Sequence, residues 1–141
     1  MSEEAWTQVE TRVCALMERG FHCSEAFLLC VGEHLLGQVL PMQQRLATGF
    51  AGGFGCTYQE ACGALSGGVM VLGLIYGRFS PDQDDGQCMQ LVERYWKLFE
   101  EHFGTTRCQL LREKGFGSDG IRPCCELVNE SIRLFRGILP K

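Results

Sequence analysis

Nine cysteines in 141 residues carry most of the chemistry this sequence can do. A thiolate binds soft metals, attacks electrophiles and exchanges disulfides, so the first question is which thiols can act together. Familiar spacings are missing. No C-x-x-C occurs, which removes the zinc-ribbon, thioredoxin and bacterial-ferredoxin patterns, and no C-x-x-C-H occurs for covalent haem. Any thiol site must therefore gather side chains from separate segments.

Position separates the nine. Cys23 immediately precedes a predicted helix start, Cys62 falls within the first turn and a half of a predicted central helix, Cys108 follows a start at Thr105, and Cys124 follows Pro123. Free backbone N–H groups and the positive end of the helix dipole favour thiolate over thiol at such places. Cys30 and Cys88 lie on apolar stripes and read as small hydrophobes, and Cys14 lies beside one. Cys56, at the end of a glycine-rich loop, is open between a supplementary thiol and a packing role. Adjacent helical residues point about 100° apart, so one of Cys124 and Cys125 is expected to face a shared site.

Other candidate chemistry is thin. His22 adjoins Cys23 and reads as an exposed loop residue, while His34 and His102 read as helix-end residues. No nucleophile triad can be drawn. Asp82, Asp84 and Asp85 after Pro81 are accounted for by a helix start that favours negative charge. The Gly49–Gly55 loop matches neither dinucleotide-binding nor P-loop patterns.

The elements that must position these groups are helices. Ser2 can cap a first helix whose apolar set Trp6, Val9, Val13, Leu16 and Met17 recurs at three and four residues until Gly20. Ser24 is expected to cap a second, ended by Gly37 and Pro41, and a short third covers Met42 to Thr48. After the Gly loop, Tyr58 to Tyr76 is the predicted central helix, with Gly63 and Gly67, then Gly73 and Gly77, spaced for close packing. Pro81-Asp82 is expected to open a long helix to Phe103, buried through Cys88, Leu91, Val92, Tyr95, Leu98, Phe99 and Phe103. Thr105 begins a short helix, and a loop from Gly115 to Gly120 leads to Pro123 at the first position of a last helix reaching Leu134. No segment alternates with period two. The fold expectation is all-α, one helical Cys-rich domain over 1–141 built as a compact bundle of five to seven helices around the Gly-rich central one.

Composition narrows the partners. With 45% apolar and 21% charged residues and a net charge of −4, the chain reads as a globular protein with no general attraction to nucleic acid or anionic lipid. The uncharged stretch Ala61 to Gly77 contains five glycines and reads as a core helix rather than a membrane insertion. The acidic start Met1-Ser2-Glu3-Glu4 is unlike a signal peptide, so a cytoplasmic location with reduced thiols is expected. An odd cysteine count leaves at least one thiol unpaired within the chain.

Several stretches then combine: His22-Cys23-Ser24-Glu25-Ala26, the Gly49–Gly55 loop, Cys62-Gly63-Ala64-Leu65-Ser66-Gly67-Gly68, Leu72 to Arg78, Cys108, and Cys124-Cys125-Glu126-Leu127-Val128. Together they resemble the C-GCAxxG-C-C family of redox-active proteins, from about Gly20 to Val128, with the core motif read here as CGAxxG. The family's four cysteines carry over onto Cys23, Cys62, Cys108 and Cys124, and its similarity to the non-haem iron domain of split-Soret-type cytochromes implies a helical fold and a Cys-ligated iron–sulfur cluster, [2Fe–2S], for electron transfer or redox sensing. The Gly loop could then offer N–H groups to cluster sulfur. The chain departs from the pattern by five further cysteines and by lacking haem attachment, which leaves Cys56 and Cys125 open as ligands. Two other readings stand beside this one. One is a metal-free dithiol/disulfide protein with Cys23 or Cys62 as attacking thiol; the other is a zinc-binding interaction module. A redox partner protein is implied without being identified, and the small-residue faces could also serve a homodimer.

Overall fold

A computed structural model describes residues 2–117 and 122–141. Its described residues form seven helices: α1 (Glu3–Glu18), α2 (Cys23–Leu36), α3 (Pro41–Thr48), α4 (Gly63–Tyr76), α5 (Gly86–Phe103), α6 (Cys108–Glu113) and α7 (Cys124–Ile138). No strand appears among them, only isolated bridges at Ala61 with Arg107 and Phe116 with Arg122. The all-α expectation holds. Residues 118–120 of the expected Gly115–Gly120 loop lie outside the described residues.

Helix α1 forms as its periodicity dictates. The Ser2 hydroxyl accepts the Ala5 N–H at 3.1 Å, and Trp6, Val9, Val13 and Leu16 are buried. Helix α5 buries Cys88, Leu91, Tyr95, Phe99 and Phe103 on one face. The centre is a pair, since α2 packs on α4 and also touches α1, α3 and α7, while α4 reaches α5 and α7. Small residues make that approach close: a Cβ at Gly67 would stand 2.9 Å from Phe27 Cβ, and one at Gly68 would stand 2.5 Å from the Tyr95 ring. Tyr95 is itself fully buried and donates its hydroxyl to the Ala64 carbonyl at 2.9 Å. Gly73 and Gly77 do not share this role. A Cβ at Gly73 meets nothing within 4 Å, and the nearest atoms to one at Gly77 are those of the Gly73 backbone.

Several helix starts move, each for a local reason. Ser24 is not a cap; it lies in the first turn of α2, buried, donating its hydroxyl to the Ala47 carbonyl at 2.7 Å, while His22 precedes the helix and its N–H donates to the Glu25 carboxylate. Helix α4 begins at Gly63 rather than Tyr58, because residues 58–62 are drawn into pairing with residues 106–109: Cys62 N–H donates to Thr106 O, Cys108 N–H to Glu60 O and Gln109 N–H to Tyr58 O. That pairing also delays α6 from Thr105 to Cys108. Helix α5 starts at Gly86, with the Asp84 carboxylate accepting the Gly86 N–H; Asp85 precedes the helix and Asp82 lies outside it. Pro123 stands just before α7 rather than at its first position, and α7 runs on to Ile138 because Phe135 and Ile138 continue its buried face.

Candidate functional site

Four segments bring five cysteine side chains to one cavity of about 180 Å³ at the end of the bundle. Cys23 is the first residue of α2, Cys62 the residue that caps α4, Cys108 the first of α6 and Cys124 the first of α7. All four cysteines singled out from the sequence line this cavity, and Cys56 lines it too. Each is held by backbone. The pairing of residues 58–62 with 106–109 sets Cys62 beside Cys108, and the Phe116–Arg122 bridge brings Gly117 against the Cys124 sulfur, 3.6 Å from where its Cβ would be. Phe21, Leu111, Leu127 and Val128 form an apolar wall, and Arg112, whose guanidinium lies 4.3 Å from the Tyr58 ring centre, also lines the cavity.

The Gly loop approaches this group as a left-handed run. Gly52, Gly53, Phe54, Gly55 and Cys56 all have φ between 55° and 71°. Glycine is required at two of these positions for contact as well as for φ, since a Cβ at Gly53 would lie 2.9 Å from the Cys108 Cβ and one at Gly52 would lie 3.2 Å from the Cys56 sulfur. The Gly52 N–H is directed at the Cys23 sulfur. The donor that the loop aims at a cysteine sulfur is thus Gly52.

Electrostatics divides the four thiols in a way helix starts alone do not. Cys23 is lowered to about 6, chiefly because the Cys62 thiol points at it, with the Gly52 and Ser24 N–H groups and His22 adding to the effect against the cost of burial. Cys62 is correspondingly pushed well above the usual thiol range by that same interaction and by burial. Cys108 is pushed up to about 11 by burial and by the neighbouring Cys23, Cys124 and Cys56, and Cys124 is raised by burial and Cys23. Three of the four expected thiolates are thus thiols in the metal-free protein. Burial and mutual repulsion outweigh the dipole.

One thiolate is expected, and its signature is measurable. In the metal-free protein, iodoacetamide labelling of Cys23 should reach half its maximal rate near pH 6, well below the ordinary thiol range. A half-maximum near pH 9 would remove the Cys23–Cys62 contact from the account. Because its folded value is depressed, the thiolate stabilises the fold fully above about pH 9 and that contribution is lost as pH falls through about 6.

The remaining cysteines sort by geometry. Cys30 and Cys88 are buried, as their stripes predict. Cys125 turns away from the cavity, as adjacency to Cys124 requires, and forms a disulfide with Cys14 across a Cα–Cα distance of 5.1 Å. That pairing corrects the expectation of reduced thiols and of Cys14 as a bystander. No spacing signal foretells it, because connectivity depends on how α1 and α7 pack. Of the histidines, His22 is exposed at the cavity edge, His102 faces Glu130 at 3.3 Å near the end of α5, and His34 packs edge-on against Trp6.

Among the described residues, no three His, Cys, Asp or Glu side chains gather closely enough to hold a single metal ion. None of their helices is long and apolar enough to cross a membrane. A family model described as "Putative redox-active protein (C_GCAxxG_C_C)" matches residues 21–138. No curated protein and no solved structure matches the chain.

Proposed function

This chain belongs to the C_GCAxxG_C_C family of redox-active proteins, and on that premise we propose that Cys23, Cys62, Cys108 and Cys124 hold an iron–sulfur centre, [2Fe–2S], for electron transfer or redox sensing. The observation that carries this reading is that thiols from four separate segments line one cavity backed by an apolar wall. The lining thiols are soft donors of the kind an iron–sulfur centre takes. The bound centre would supply one-electron chemistry.

The chain's own residues set the terms of loading and tuning. Thiols ligate as thiolates, so Cys62, Cys108 and Cys124, all raised in the empty protein, must release protons on binding. Loading is therefore favoured as pH rises. The Gly52 N–H directed at Cys23 withdraws charge from that sulfur, and Arg112 opposes the negative charge that collects near Cys108 and Cys124. Phe21, Leu127 and Val128 keep water from one side of the site.

The test is anaerobic purification with iron and acid-labile sulfide analysis and an absorption spectrum, for the parent and for Cys62→Ser. Iron with matching sulfide and visible charge-transfer bands, all lost in the variant, is the expected result. A colourless parent without iron or sulfide sinks the reading.

One observation favours a second reading. The Cys23 thiolate and the Cys62 thiol are in direct contact, which is the arrangement of an attacking and a resolving thiol. Cys23 would attack a partner disulfide and release one thiolate; Cys62, giving its proton to solvent, would then attack Cys23 and release the other. The partner disulfide is reduced to two thiols as Cys23 and Cys62 become one disulfide. Activity retained after complete iron removal selects this reading.

A further inference from the structure

Cys56 lies outside both of these assignments, yet its position is specific. It lines the cavity and is also exposed, whereas Cys23, Cys62, Cys108 and Cys124 are buried or half-buried. The left-handed run that carries it is fixed by backbone bonds at 2.8 Å from Gly55 N–H to Gly49 O, 3.0 Å from Cys56 N–H to Ala51 O and 2.8 Å from Tyr58 N–H to Gly52 O. The run folds the Cys56 sulfur back over Gly52, while the next residue, Gly53, abuts Cys108. Cys56, through its sulfur, and Cys108, through its Cβ, thus stand against successive glycines that carry no side chain, and both line the same cavity.

We propose that Cys56 is a reactive site of its own: a thiol at the cavity mouth that captures low-molecular-weight disulfides, with Cys108 as its resolving partner when Cys108 is free. Cys56 as thiolate attacks one sulfur of the disulfide RSSR, the S–S bond breaks, and RS⁻ leaves, giving Cys56–S–S–R. Cys108 then gives its proton to solvent and attacks the Cys56 sulfur, expelling the second RS⁻. One small disulfide is reduced to two thiols while two cysteines are oxidised to one cystine. Where Cys108 is engaged as a metal ligand the sequence stops at the mixed disulfide; this arrest, unlike the capture itself, rests on the cluster reading above.

The experiment treats the chain, as purified and after chelation, with oxidised glutathione under anaerobic conditions and maps the linked peptides by mass spectrometry. The chelated protein should yield a Cys56–Cys108 cross-link and two released thiols per chain from this reaction. Cys108→Ser should instead accumulate glutathione on Cys56, and in a Cys23→Ser background, which removes the other attacking thiol, Cys56→Ser should slow the first release about tenfold or more. Unchanged release in Cys56→Ser in that background, or cross-links that omit Cys56 in the parent together with no glutathione on Cys56 in Cys108→Ser, would overturn the proposal. Iron and sulfide measured on the same samples report separately on the cluster: their absence removes the arrest at the mixed disulfide and leaves the expected Cys56–Cys108 product as it was.

Discussion

Replacing Cys14 and Cys125 together by serine is expected to lower the unfolding free energy by about 4 kcal/mol, the order given by chain entropy for a cross-link closing a loop of roughly 100 residues. The bridge joins positions 111 residues apart, so it confines nearly the whole chain in the unfolded state. It also holds the one helix that lies ahead of the family match against the last helix within it. The other ties between α1 and α7 are weaker. Glu10 pairs with Arg133 and Glu3 with Arg136 at the surface, where such pairs contribute about 0–1 kcal/mol. Asn129 donates to the Glu10 carbonyl at 3.2 Å and approaches the Cys14 sulfur at 3.5 Å, a contact that depends on the bridge being where it is. Urea unfolding of the oxidised parent, the reduced parent and the double variant provides the check. Reduction should reproduce most of the variant's loss, and coincident curves for all three would show that the bridge adds nothing. The apolar stripe of Trp6, Val9, Val13 and Leu16 remains in the variant, so the native helical content is expected to survive at low denaturant.

What could be read in advance follows from how local each determinant is. The stripes of α1 and α5 are properties of single segments, and their buried residues are those the period of 3.6 picks out. The grouping of Cys23, Cys62, Cys108 and Cys124 was legible for a related reason, since each sits at a break between segments and breaks collect at the ends of a bundle. The true start of α4 was not legible. It depends on residues 58–62 pairing with residues 106–109, more than forty positions away, and nothing in either segment alone announces the other. The same holds for Cys14 and Cys125. Thiol ionisation failed differently: the dipole argument is local and sound, but the convergence that makes a site also buries the thiols and sets them against one another. The place of Cys56 at the cavity is not announced by its neighbours in sequence, because it rests on a left-handed backbone that is unusual for a residue with a side chain.

The other large effect expected is at Gly63, where alanine should cost about 2 to 3 kcal/mol and also disturb the thiol pair. The added Cβ would stand 2.3 Å from the Cys23 sulfur, 3.0 Å from the Ser24 nitrogen and 3.2 Å from the Ser24 Cβ. The last two belong to the first turn of α2, whose Ser24 hydroxyl is pinned to Ala47, so they cannot yield cheaply. The Cys23 sulfur can yield by rotating about Cα–Cβ, but rotation takes it from both the Cys62 thiol and the Gly52 N–H that hold its charge. Stability and reactivity should therefore fall together: a lower unfolding midpoint, and a shift of the Cys23 alkylation profile from about pH 6 toward the ordinary thiol range. Gly73 in the same helix supplies the contrast. A Cβ there meets nothing within 4 Å, so Gly73→Ala should stabilise α4 by about 0.5–1 kcal/mol through helix propensity and leave the Cys23 profile alone. If Gly63→Ala loses stability but keeps the profile, the glycine serves packing between α2 and α4 only. If both move, the close approach of the two helix starts is what sets the charge on Cys23.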